Sequence, residues 1–383
     1  MHSMINLARE WLRKISVPLG VFALTRAGLF ILAYMSLVLV PVNTSAPYQT
    51  YRIYPHNLFL DGLVRWDGKN LAEIAQRGYG DISGARQAGA WRRTVHFPLY
   101  PFSMRLVNKI VPDVYVSGLL ISNLAFLLSL IILYNLVCMH YDKEVATRAI
   151  VLLAVTPGTV FLSVVLTEPL FLLCALSAFW FGEKKRWSLA GLAAAGASAT
   201  QAVGALVTLG LLVLYLEQIE FDWKRVRPNI LWTSLGFLGT PSYMFLLYLR
   251  YGDPFEFVKA SGGVTAGIGA VVPAIKSALS LQAIMTGRYP LYLLIWLGYF
   301  LVSLPLLVLA WNRPRRAYAV WGMAHVLVSF PIWNLCMIRH AVVVFPMAII
   351  LALLLRKKVL YYGYLYISIL MLALQLLQWS HWY

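Results

Sequence analysis

The chain has 383 residues, of which 60% are hydrophobic and 12% charged, a balance that excludes a soluble globular domain. Its 32 basic and 15 acidic residues leave a net charge of +17. No compact basic domain with interleaved aromatics accompanies that charge, so nucleic acid is excluded and anionic membrane lipid is the expected partner.

Apolar runs long enough to span a bilayer recur along the whole sequence, which predicts an all-α polytopic membrane protein. Arg9, Arg13 and Lys14 precede the first run, the pattern of a retained signal anchor. Spans are expected over 15–40, 114–139, 145–165, 168–182, 187–217, 229–251, 289–311, 317–334, 339–355 and 359–379. The fifth is too long for one crossing: about 30 residues make about 45 Å of helix against a hydrocarbon core of about 30 Å. Charge bias predicts how it is accommodated. With the N-terminus inside, the basic clusters at 224–227, 313–316 and 356–358 all fall inside only if this run breaks into two short crossings, near 200–204. That gives about eleven crossings. The whole chain, 1–383, then reads as a single integral-membrane domain with two long outward loops, 41–113 and 252–288. Arg86 is expected outside, and Lys185, Arg225, Arg315 and Lys357 inside. Cys138, Cys174 and Cys336 lie in or beside apolar segments with no paired spacing, so neither a disulfide nor a metal framework is expected. The glycine-rich piece 262–269 lacks the strand–helix setting of a nucleotide fingerprint and reads as loop.

The unusual polar chemistry lies in the first loop. From Lys69 the pattern is helical, with Leu71, Ile74 and Ala75 on one face and Lys69, Glu73, Gln76 and Arg77 on the other. Glu73 and Arg77 have pairing spacing, and Gly78 is the expected stop. The helix is expected to lie in the membrane interface, apolar face down. Asp67, just ahead of it, has two readings: a helix cap, or a functional carboxylate beside Trp66. Further on, Pro98 and Pro101 stiffen the chain around Tyr100. Phe97, Tyr100 and Phe102 are expected in an aromatic belt, and Phe102, Leu106 and Ile110 continue as a second interfacial helix. His96 is either a hydrogen-bonding surface residue or a proton-transfer group. Arg26 lies well inside the first span, as a functional group or the partner of an ion pair with another helix. Glu168 begins a span at the outer face, as helix-start charge or as a cavity-lining group. Arg339 begins a span at the same face, as an anchor to headgroups or as a phosphate partner.

"RWDGKNLAEIAQRGYG" (65–80) followed by "VHFPLYP" (95–101) resembles the tryptophan–aspartate, "IA..GY" and "FFPLYP" pattern of the PIG-V-like (GPI mannosyltransferase-like) family, of the GT-C class of membrane glycosyltransferases. "LTEPLFLL" (166–173), "GDPFEFVKA" (252–260) and "IRHAVVVFPMAI" (338–349) resemble later family motifs in the same order, so the likeness runs from Thr25 to the end. The resemblance implies a GT-C-type fold and an enzyme that takes a sugar from a polyprenyl phosphate. In eukaryotic members that donor is dolichyl-phosphate mannose, and the acceptor is a lumenal glycolipid. It also implies that Asp67 is the catalytic carboxylate. Gln201 stands where the family usually has a basic residue. His340 follows Arg339 where the family has tyrosine, and His96 replaces the first phenylalanine of "FFPLYP". These departures leave open a sugar other than mannose, or an inactive member.

The chemistry asks for one base to take the acceptor proton and one cation to stabilise the departing phosphate. Asp67 is expected as the base. Arg339, His340 and Gln201 are expected at the donor phosphate, and Trp66, Arg65, His96, Tyr100, Glu168 and Arg26 around the substrate cavity. No metal, cofactor or nucleotide donor is expected, and no partner subunit can be named. The expected function is transfer of a hexose, mannose first, to a glycolipid or glycan outside the plasma membrane of a prokaryote, with inversion. The alternatives are a secondary transporter or flippase, and a non-catalytic scaffold of the same fold.

Overall fold

A computed structural model describes residues 2–40, 53–54, 56–80, 90–261, 288–332 and 337–381 of the chain. Arg86, the glycine-rich piece, Cys336 and most of the second loop lie outside the described residues. The regular structure of the described residues is entirely helical, with no strand among them. In order the helices are α1 (His2–Leu39), α2 (Leu58–Leu63), α3 (Asp67–Arg77), α4 (Leu99–Val107), α5 (Val114–Cys138), α6 (Lys143–Val155), α7 (Glu168–Glu183), α8 (Trp187–Thr200) and α9 (Val207–Gln218). They continue with α10 (Gly239–Tyr251), α11 (Glu256–Ala260), α12 (Arg288–Leu309), α13 (Arg316–Ile332), α14 (Met337–Ala341), α15 (Phe345–Leu354) and α16 (Lys358–His381). Tight 3-10 turns fill several gaps: Ala90–Val95, Pro157–Leu162, Ala202–Leu206, Trp223–Arg225 and Pro228–Phe237.

Among the described residues three helical stretches are long and apolar enough to cross a membrane: Lys14–Leu39, Val114–Cys138 and Lys358–His381. The pair Pro228–Phe237 and Gly239–Tyr251, bent by 44°, would make a fourth. These are fewer than the eleven crossings expected from the sequence, and two of the expected spans are interrupted. Run 145–165 stops at Pro157, which has no N–H to donate and pushes Thr156 into an extended conformation (ψ 147°). Run 339–355 is divided between α14 and α15.

Contacts group the chain into two compact units, the first of Met1–Gln76, Pro101–Leu176 and Ala348–Tyr383, the second of Arg77–Tyr100 and Ser177–Met347. In the first unit α1, α5, α6 and α16 pack together. At one end of these helices Asn135 donates to Lys14 O at 3.3 Å, and Arg148 donates to Leu355 O and Arg356 O, each at 3.3 Å. At the other, Ser36 Oγ meets Ser380 Oγ at 2.9 Å, and His381 Nε2 lies 2.9 Å from Val40 O.

In the second unit the two ends of the long fifth run meet. Gln218 Nε2 donates to Gly182 O at 2.9 Å, and the rings of Trp187 and Tyr215 are 4.9 Å apart. A segment whose ends touch does not cross once. It turns at Gln201, extended at φ −151° and ψ 147°, inside the expected hinge. Gly204 is required there, since a Cβ would stand 2.1 Å from Ala197 O. At the same end Glu183 accepts from Arg315 Nε at 3.1 Å, Arg315 Nη2 at 3.2 Å and Tyr318 Oη at 2.8 Å. Glu217 accepts from the backbone N of Arg316 at 2.9 Å, and Tyr215 Oη from that of Arg227 at 2.8 Å. The clusters at 183–186, 224–227 and 313–316 therefore share one end of this unit, as the charge bias predicts.

Single cysteines at Lys185, Arg225 and Arg315 should react with an impermeant thiol reagent from the same side of sealed membranes. Labelling of Arg225→Cys from the side opposite Lys185→Cys would contradict the hairpin.

Candidate active site

The chain enters the candidate site through α2, capped by Asn57 Oδ1 accepting from Leu60 N at 3.1 Å. Asp61 is fully buried. Its Oδ1 accepts from Ile53 N at 3.1 Å and Tyr54 N at 3.2 Å, and its Oδ2 from Arg65 Nη2 at 2.6 Å. Arg65, also buried, donates through Nη1 to Val64 O at 3.0 Å and through Nε to Ser380 O at 3.1 Å. Burying two charges costs several kcal/mol each, about what such a set of short bonds must offset. Neither residue is free to move, so the backbone reaching Trp66 is fixed.

Trp66 is left-handed, with φ +52°. A side chain with a Cβ adopts this at a cost of roughly 1–2 kcal/mol, and such strain collects at functional positions. The reversal lets α3 begin at once: Gly68 N donates to Arg65 O at 3.0 Å and Lys69 N to Trp66 O at 3.4 Å. The helix starts two residues earlier than the pattern suggested. Asp67 is therefore its first residue instead of a cap ahead of it, half-buried beside the partial positive charge of the helix start. A Cβ on Gly68 would lie 3.3 Å from Val165 O and 3.4 Å from Val165 Cβ, so α3 begins directly against another backbone.

The apolar face of α3 is covered by protein, with Leu71, Ile74 and Ala75 all buried, whereas Lys69, Gln76 and Arg77 are exposed. This corrects the expectation of an interfacial helix: the hydrophobic pattern is real, but its partner is the rest of the chain. Arg105 closes the far end of α3, donating from Nε to Ala75 O at 2.6 Å and from Nη2 to Ile74 O at 3.3 Å. Gly78 follows as the stop, at φ +76°.

Val165 belongs to the irregular stretch between α6 and α7, which ends in Glu168, the buried first residue of α7. Arg26 binds the same stretch. Its Nη2 donates to Ala154 O at 2.7 Å and Thr159 Oγ1 at 3.3 Å, its Nη1 to Ser163 Oγ at 2.5 Å and Thr159 O at 3.4 Å, and Phe126 lies 4.7 Å beneath the guanidinium. Of the two readings of Arg26, the interhelical ion pair is replaced by bonds to carbonyls and hydroxyls.

The remaining candidates lie in the second unit. His96 is buried, its carbonyl accepting from Tyr79 Oη at 2.7 Å; burial holds the Tyr79 phenol well above its ordinary pKa, so it stays a donor. Tyr243 Oη donates to Thr94 O at 2.7 Å, and its ring lies 4.7 Å from that of Phe97. Phe97 and Tyr100 are thus packed inside protein, contrary to the aromatic belt expected of them; Phe102 and Leu106 on α4 are exposed, and so is Ile110, although the helix ends at Val107, before it. Gln201 is half-buried at the hairpin turn. Arg339 is half-buried and His340 buried on α14, the His340 ring 6.4 Å from that of His325 on α13. Among the described residues no group of three or more His, Cys, Asp or Glu could hold a metal ion. The structure thus gathers Arg65, Trp66 and Asp67 in one corner, joined through Gly68 and Val165 to the stretch that carries Glu168 and binds Arg26. His96, Tyr100, Gln201, Arg339 and His340 belong to the other unit. Asp61 and His325 were missed in the sequence. The signals were there: an Asp four residues before an Arg, and a histidine inside an apolar run.

Residues 21–230, more than half of the chain, match the family model described as mannosyltransferase (PIG-V). The chain belongs to the PIG-V mannosyltransferase family. It is accordingly an integral membrane protein. The match takes in Arg26, Trp66–Asp67, His96, Glu168 and Gln201 and stops short of Arg339. Proteins called GPI mannosyltransferase 2 from two strains of Cryptococcus neoformans are each 26% identical over 201 residues, 48% of this chain and 46% of theirs. The match thus spans about half the length of these relatives. Both are fungal, so they lend nothing to the expected prokaryotic membrane. Among solved structures, an Archaeoglobus fulgidus oligosaccharyltransferase tethered to an acceptor peptide aligns with a TM-score of 0.49 and 11% identity, covering 96% of this chain and 56% of that one. An archaeal oligosaccharyltransferase from the same organism, in complex with an inhibitory peptide and a dolichol-phosphate, aligns with a TM-score of 0.46 and 10% identity over 97% and 56%.

In this PIG-V family member, Trp66→Gly should be more stable than Trp66→Ala by about 1 kcal/mol, since both lose the indole and only glycine accepts a positive φ freely. Thermal unfolding in detergent measures the difference; equal stabilities would mean that residue 66 is not left-handed in solution.

Proposed function

We propose that the protein transfers a hexose, mannose first among the candidates, from a polyprenyl-phosphate sugar to a glycolipid or glycan acceptor on the extracytoplasmic face of a membrane, with GT-C-type inverting chemistry. The observation that carries this reading is the left-handed Trp66, held from behind by Arg65 and Asp61, which sets the Asp67 carboxylate at the head of α3 within the family-matched region. Asp67 takes the proton of the acceptor hydroxyl, the hydroxyl oxygen bonds to the anomeric carbon, and the bond to the lipid phosphate breaks. Charge accumulates on that phosphate as it leaves, and Arg339 is the forked donor suited to it, with His340 and Gln201 beside it in this reading. In this reading Glu168 orients the acceptor and Trp66 packs against the sugar. About eleven crossings, several of them broken, would carry this site.

Helix interruptions occur in both units, at Pro157 in the first and at Gln201 and Leu238 in the second, and broken helices of this kind suit a transporter as well as a transferase. Family membership is what favours the transferase.

Asp67→Asn separates a base from a helix-start group. Asparagine serves a helix start nearly as well, within a few tenths of a kcal/mol, but it cannot take a proton. The expected outcome is unchanged thermal stability with transfer from radiolabelled polyprenyl-phosphate mannose reduced about a hundredfold or more. Undiminished transfer would remove Asp67 from the chemistry. At the donor end, Arg339→Ala should depress transfer far more than Arg339→Lys, since charge beside the phosphate is what acts there. A folded alanine variant with normal turnover would reduce Arg339 to an anchor.

A further inference from the structure

The stretch 156–167 is the longest described departure from regular helix in the first unit, and it is buried: Thr159, Val160, Leu162, Ser163, Val164, Val165 and Leu166 have no exposed surface (0% each). Backbone that leaves a helix away from water must find other partners. Three helices supply them. Asn123 of α5 donates to Ser163 O at 2.9 Å, Ser368 of α16 donates to Val155 O at 3.0 Å, and Arg26 of α1 reaches Ala154, Thr159 and Ser163 together. The end of α6 carries partial negative charge, which suits a cation there. A guanidinium fork can hold both sides of the break at once; an ammonium cannot.

We infer that Arg26 is a positioning residue for transfer: by clamping 156–167 it fixes the backbone on which the start of α3, and so Asp67, rests. The inference builds on Asp67 as the base. The path is short. Arg26 holds Ser163; two residues on, Val165 O approaches Gly68 so closely that even a methyl group there would be tight, 3.3 Å from the oxygen. Gly68 is bonded to Asp67. The same stretch runs into Glu168, so one clamp governs both acids. A base displaced by about 1 Å loses about a hundredfold in rate while substrate binding is largely kept, so the signature is in kcat.

The test uses the full chain in liposomes. Arg26→Met removes the fork, Arg26→Lys keeps only the charge, and Ser163→Ala removes one acceptor as a milder change should either Arg26 variant not fold. The first readout is transfer from polyprenyl-phosphate mannose. The second is the maleimide labelling rate of Asp67→Cys with the native cysteines replaced, Lys109→Cys serving as control. In folded Arg26→Met, kcat should fall about tenfold or more, donor KM should stay within about twofold, and labelling at 67 should change about fivefold with none at 109. Arg26→Lys should recover part of the loss. A merely structural arginine would lower the yield of folded protein and leave kcat per folded molecule unchanged. Unaltered labelling and kcat in folded Arg26→Met, or in Ser163→Ala if that alone folds, overturns the inference. Altered labelling together with a fully active Asp67→Asn upholds the mechanical link and instead sinks the general-base reading.

Discussion

Each place where a helix stops inside an apolar chain strands carbonyls and N–H groups that lipid cannot satisfy. This protein stops its helices often and spends its few polar side chains on the consequences. At Pro157 the partners are Arg26, Asn123 and Ser368. At the turn around Gln201, Ser198 Oγ accepts from Gly239 N at 3.0 Å, so the end of α8 satisfies the start of α10. Before α3 the partners are Asp61 and Arg65. Remove these groups and the irregular backbone has no reason to persist; it would revert to helix or be expelled to water. A low charge content is therefore compatible with a functional interior, provided that the charges sit where the helices break.

The corner before α3 shows what an ion pair adds over grease. A packed apolar pair of equal volume would hold the same elements about as well. It would not hold them in one orientation. Arg65 reaches three partners in different directions, and Asp61 accepts from two backbone N–H groups as well as from Arg65. That directionality is what a left-handed Trp66 needs, since an isolated chain would relax to negative φ. Stability invested in the Asp61–Arg65 pair thus maintains strain one residue away.

What could be read in the sequence follows from what hydropathy measures. The run 114–139 was legible nearly to the residue as Val114–Cys138, because both of its ends are marked by polar residues and Asp113 caps it. The hinge at Gln201 was legible because length made a single crossing untenable, and Gly78 because a glycine ends an amphipathic pattern. The break at Pro157 was not, since a lone proline inside an apolar run is compatible with a kinked span. The burial of Phe97 and Tyr100 was hidden for another reason. Hydropathy reports that a side chain avoids water, not whether lipid or protein receives it. Arg26 was visible as an oddity, yet its partners are backbone carbonyls, which every residue has and no pattern marks. Around the candidate site, Trp66 and Asp67 ahead of an amphipathic helix were legible as a pattern; the Gly68–Val165 contact that joins α3 to the approach to Glu168 was not, because it depends on the absence of a side chain.

The two amphipathic helices of the first loop divide the work that the sequence assigned to both. In α3 the apolar face is covered by protein, so its position is set by packing and by the Val165 contact. Beyond α3, Phe102 is 55% exposed, Leu106 46% and Ile110 86%, an uncovered apolar row with Arg105 and Lys109 interleaved, the pattern of a face that meets lipid headgroups. The same Arg105 donates to the last carbonyls of α3. One side chain therefore ties α3, which bears Asp67, to α4, which begins the exposed apolar row. Were α3 held by its polar face alone, Asp67 would follow the motions of an exposed helix. Packed along Leu71, Ile74 and Ala75 and set against Val165 at its start, it begins from a fixed backbone.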